Sequence, residues 1–129
     1  MKNQIRCLAV LSVTAAIATT LVFRATAADA KDPIKEAMKA YHKAPKGTDP
    51  TCKKAMDGKP TPEELKQLLA AYKSMTTAKP PQGDDASWKD KTAKLYAAAQ
   101  ALEKGEAGAA AKYKDAVNCK ACHSVHKPQ

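Results

Sequence analysis

Arginine is missing from this chain after residue 24, and every later basic side chain is lysine. Lysine is a hydrated point charge, whereas arginine supplies the planar fork that reads phosphates and base edges. Nucleic acid is therefore not an expected partner. An acidic protein surface, steered loosely by charge, fits better. Aromatic residues are scarce as well, at 5% of the chain with a single tryptophan, so the core has to be built largely from Ala and Leu. No stretch alternates apolar and polar residues at period two, and no internal repeat is evident, which argues against a sheet domain or a solenoid. Paired carboxylates in a suitable context and a Ser-His-Asp arrangement are also lacking, so an enzyme is not expected.

What the chain does have begins with its leader. Lys2 and Arg6 precede residues 7–23, "CLAVLSVTAAIATTLVF", which carry no charge, and Ala25-Thr26-Ala27 then gives a small-x-small site. This reads as a signal peptide over residues 1–27, cleaved near Ala27 or Ala28, rather than a retained anchor. The apolar run is at the short end for spanning a bilayer. Export to a periplasm or an equivalent compartment is the expectation, without stable membrane insertion. Residues 28–129 then form one small domain, in which nineteen lysines face thirteen acidic residues for a formal charge of +6.

Four helices are expected in that domain. Asp32 and Pro33 open the first, which runs to about Lys43 with Ile34, Ala37, Met38, Tyr41 and His42 along one face. "TCKKAMDGKP" connects it onward, with room for one helical turn. The second starts at Thr61-Pro62, with Glu64 completing a capping box, and its apolar face is Leu65, Leu68, Leu69, Tyr72 and Met75. A third runs from Ser87 to a stop at Gly105, with Trp88, Leu95, Ala99 and Leu102 as its stripe. The fourth runs without interruption through "AGAAAKYKDAVNCKACH". The fold class read from this pattern is all-α, an antiparallel four-helix bundle.

That last helix carries the chemistry. Residues 119–123, "CKACH", form Cys-x-x-Cys-His, the attachment signature for c-type haem. Cysteines at i and i+3 share one side of a helix, so both thiols can add to the two vinyl groups of one haem. The next residue, His123, then offers its imidazole to the iron. A redox dithiol would be expected beside a strand-helix-strand unit, and zinc would need more ligands than His126 offers. One covalent haem c is the expected cofactor.

An attachment motif on the last helix of an exported four-helix chain resembles the class II c cytochromes, the cytochrome c′ and c556 group. The resemblance implies Cys119 and Cys122 as thioether anchors and His123 as proximal ligand. In that group the opposite haem face meets the first helix. There a Met ligates the iron in c556-type members, and an apolar residue leaves it open in c′-type members; Met38 stands where such a Met would be. "MKAYHK", the cysteine after the first helix, "KPPQGDDASWKDKT" and "NCKACHSVH" are similar to the small haem c proteins of anammox bacteria. Those pair as heterodimers, carry a His/Cys-ligated haem and bind NO and CO.

The distal ligand stays open between three side chains. Cys52 is an odd cysteine for an exported chain, and iron ligation would give it a role. Lys53 and Lys54 beside it are expected to favour its thiolate. Met38 is the second candidate, although an inward Met is more often packing. His42, one turn on, is the third. His126 is expected on the proximal side, away from the far haem face, and Met56 and Met75 are expected to pack.

Two functions follow from these alternatives. With Cys52 on the iron, reduction weakens the thiolate bond and frees a site for NO or CO, making a gas-binding or gas-sensing protein. With Met38 on the iron, a six-coordinate His/Met haem makes an electron-transfer cytochrome docking an acidic redox partner. A homodimer or heterodimer is expected through the Ala-rich helix faces.

Overall fold

The computed structural model describes residues 32–128, and every regular element in that range is a helix. The expected signal peptide lies outside the described residues. Six helices follow one another: α1 Pro33–Tyr41, α2 Thr51–Met56, α3 Pro62–Thr77, α4 Asp85–Glu103, α5 Ala109–Ala116 and α6 Cys119–His126.

Local signals set most of the boundaries. Asp32 accepts from the Ile34 and Lys35 N–H groups at 3.0 and 3.3 Å and starts α1, with Pro33 at the first helical position. At α3 the Thr61 hydroxyl accepts from the Glu64 N–H while Glu64 accepts from the Thr61 N–H, a complete capping box. The first turn of α4 begins two residues earlier than Ser87. Asp84 is its cap, taking the Ser87 N–H at 2.7 Å, because a carboxylate accepts that bond better than a hydroxyl does. Gly105 ends α4 with a φ of 65°, and the Gly105 and Glu106 N–H groups return to Leu102 and Ala101. That is a Schellman closure, which needs the left-handed conformation glycine adopts freely.

One expectation is sharpened and one is corrected. The connection after α1 holds a defined six-residue helix, α2, with Cys52 and Ala55 buried. The last helix is not continuous: it breaks at Val117–Asn118 into α5 and α6. Asn118 causes the break, since its side chain accepts from the Ala121 N–H at 3.0 Å and starts a new helix.

Packing runs in a chain of neighbours. α3 lies against both α1 and α4, α4 against α5, and α2 sits over α3 and α5. The core they enclose centres on Leu68, Tyr72, Ala55, Ala99 and Tyr113, all fully buried. Truncating Leu68 to Ala in such a core costs about 2–5 kcal/mol. Ala98, Ala99 and Ala101 are buried along α4, where small side chains let its neighbours approach closely. Leu102 is only partly buried at the edge of this core. Met75 is buried and Met56 packs partly buried against the same cluster. Among the described residues no helix is long and apolar enough to cross a membrane.

A candidate ligand cavity between the first and last helices

A cavity of about 360 Å³ opens where α1, α2, α4 and α6 meet. That volume lies in the range of small-molecule sites, about 300–1,000 Å³. Every candidate named from the sequence lines it: Cys119, Cys122 and His123 from α6, Cys52 from α2, Met38 from α1 and His42 from the α1 cap. Met75, Leu95 and Val117 supply apolar wall. These side chains come from positions more than eighty residues apart, brought together by the packing of α2 on α5 and of α6 on α4. Among the described residues no three His, Cys, Asp or Glu side chains converge closely enough to hold a metal ion among themselves. The donors stand apart around the cavity wall.

The motif helix presents its thiols at different depths. Cys119 is exposed and its thiol donates to the Val117 carbonyl, with 3.5 Å between the heavy atoms. Cys122 is half-buried, and burial raises its thiol above the ordinary range while Lys91 partly offsets this. His123 is exposed at the cavity mouth.

Cys52 is buried, at 6% exposure. Its thiol is pushed up, first by burial and then by the nearby Cys119. The expected help from the two lysines is not there. Lys53 spans Asp49 and Asp57 at 3.1 and 3.0 Å, and Lys54 pairs with Glu64. Both cations are already neutralised by carboxylates, so the protein alone holds Cys52 as a thiol.

His42 enters a buried hydrogen-bonded row that the sequence reading missed. Its Nε2 lies 3.0 Å from the Tyr72 hydroxyl, and that hydroxyl lies 2.6 Å from the Tyr113 hydroxyl. Both tyrosines are fully buried. Burial pushes both phenols well above their ordinary range, so they stay protonated. His42 falls from 6.5 to about 4, chiefly through burial and further through the charge of His123 across the cavity. The signal was present: two inward tyrosines and an inward histidine must satisfy their polar atoms on one another or lose about 1–3 kcal/mol for each one left unpaired.

His126 is the other residue whose role was not foreseen. It is buried at 2% exposure, with Nδ1 donating to the Gln82 carbonyl at 3.0 Å and Nε2 3.2 Å from the Ser87 hydroxyl. Its ring meets Trp88 edge-on at 5.3 Å. It faces the α3–α4 loop, away from the cavity, and locks the end of α6 there. Gln82 adds a bond to the Val125 carbonyl at 3.2 Å. The stretch "KPPQGDDASWKDKT", loop and first turns of α4 together, thus holds the motif helix in place.

Both thiols, one imidazole and a set of facing donors around a mainly apolar wall are a donor set that suits a covalently bound haem. Comparison with family models, with curated proteins and with solved structures finds no match for this chain.

Proposed function

We propose that this chain is an exported monohaem c-type cytochrome with a cytochrome c′-like four-helix bundle, and that it binds or senses NO or CO at a His/Cys-ligated haem. The observation that carries this reading is one cavity. It collects both thiols of the attachment motif, His123 and the buried Cys52, a residue that nothing in the motif demands.

Cys119 and Cys122 would hold the group through thioether bonds, and His123 would supply its proximal ligand. Bound there, the haem would supply an iron that takes either a side chain or a diatomic gas in its remaining position. The protein's own part lies in proton placement and exclusion of water. Burial disfavours the anion at Cys52 Sγ, so the protein by itself keeps the proton on sulfur. Cys52 would hold the iron as thiolate only while the group's positive charge favours that form, and the haem would supply the loss of charge on reduction that makes Cys52 a releasable ligand. Met75, Leu95 and Val117 supply apolar lining to the cavity.

Met38 supports a second reading, because it lines the same cavity. Ligation by Met38 would make the protein an electron carrier steered by its lysines toward an acidic partner. In both readings the signal peptide is removed and the partner is a protein or a small gas, not nucleic acid.

Expression in a host that matures c-type cytochromes tests the proposal. Peptide mass mapping is expected to find one haem on the peptide holding residues 119–123 and an N-terminus near Ala28. Free thiols at both motif cysteines in such a host would overturn it.

A further inference from the structure

The row of His42, Tyr72 and Tyr113 has only one arrangement that pairs both phenol protons. The Tyr113 hydroxyl is fully buried, and among the described residues its only partner is the Tyr72 hydroxyl. If Tyr72 donated to Tyr113, the Tyr113 proton would be left without an acceptor inside the core. Tyr113 therefore donates to Tyr72, and Tyr72, having accepted there, donates to His42 Nε2 at 3.0 Å. Nε2 is then the acceptor nitrogen, and the ring proton sits on Nδ1.

Nδ1 of His42 has no hydrogen-bond partner within the protein among the described residues, and it is not an enclosed orphan. His42 lines the cavity that also holds Cys52 and His123. Its N–H is thus unpaired within the protein, on a residue of the cavity wall.

We infer that Tyr113 and Tyr72 form a one-way hydrogen-bond relay that fixes His42 as an Nδ1–H donor for a ligand bound in the cavity. The inference rests on the haem reading of the cavity and adds to it a basis for ligand choice. A bound diatomic whose outer atom accepts a hydrogen bond gains from that donor, and a poor acceptor gains little. Tyr72 acts as a positioning residue, because it sets which nitrogen of His42 carries the proton without reaching the ligand itself.

The test uses the ¹⁵N-labelled protein as purified, reduced under CO where it carries haem. Histidine ring correlation spectra give the tautomer of His42 directly. The expected result is an excess of Nδ1–H of roughly tenfold or more, the bias that an unpaired buried proton imposes on the reverse arrangement. Tyr113→Phe is expected to keep that tautomer, because Tyr72 still donates, and Tyr72→Phe is expected to lose it. Wild-type His42 found as Nε2–H would overturn the relay without any variant being needed, as would a tautomer indifferent to Tyr72→Phe. In the CO complex, the C–O stretch is expected to rise in Tyr72→Phe, as the outer oxygen loses its donor. An unmoved stretch with a changed tautomer would overturn the ligand-facing role. A wild-type protein without haem would overturn the reading of the cavity and with it the gas as acceptor. The tautomer would still decide the relay itself.

Discussion

His126 Nδ1 donates to the carbonyl of Gln82 at 3.0 Å, and through this bond the motif helix is fastened to the loop joining α3 to α4. The contact spans 44 residues of sequence. It places the last turn of α6 against Trp88, whose indole N–H in turn donates to the Met75 carbonyl at 3.0 Å. The position of His123 therefore depends on a loop that contributes nothing to the cavity lining.

Loss of this clasp should be felt as stability. His126→Ala strands the Gln82 carbonyl and leaves a void beside Trp88, and is expected to cost about 2–4 kcal/mol. Gly83 sits beneath the clasp at a φ of 82°, where an added Cβ would lie 2.9 Å from both His126 Nδ1 and the Val125 carbonyl. Gly83→Ala is expected to cost about 1–3 kcal/mol through backbone strain and this close approach. Urea unfolding midpoints check both, and an unchanged midpoint in either variant would contradict the clasp.

Asn118 is expected to matter for the motif helix more than its exposure suggests. Replacing it with Ala removes the cap on the Ala121 N–H and should cost about 0.5–2 kcal/mol. Asn118→Asp keeps an acceptor in place and should stay near wild type. Denaturant curves of the two variants, measured side by side, read this difference.

His42 gives the protein an acid sensitivity of known sign. Its folded value of about 4 lies below the ordinary 6.5, so between these values the unfolded chain binds the extra proton. Stability from this source is complete above about pH 6.5, falls as the pH drops toward 4, and levels off below. A pH series of urea midpoints should show that slope in wild type and a shallower one in His42→Asn. Equal slopes would contradict the burial of a neutral His42.

Much of the helical pattern was legible because it is written locally. The Thr61–Glu64 box, Asp32-Pro33 and the Gly105 stop are each decided within a few residues. The inward faces of α3 and α4 follow from spacing alone, with Leu68, Tyr72 and Trp88 buried. The break before Cys119 was harder to see, because an Asn inside an Ala-rich run either rides along a helix or restarts one. Lys53 and Lys54 misled because proximity in sequence to Cys52 says nothing of carboxylates that reach them first, one of them from α3. His126 and the tyrosine row depend on residues 39 to 44 and 30 to 41 positions apart, contacts that no local pattern carries.

The gas-binding account turns on Cys52, and ferric and ferrous absorption spectra of wild type and Cys52→Ala, with and without CO, test it most directly. The account predicts a thiolate-type ferric spectrum in wild type that disappears in Cys52→Ala, and a ferrous form that takes up CO readily. A ferric spectrum untouched by Cys52→Ala but altered by Met38→Ala, or a ferrous protein that refuses CO, would contradict it.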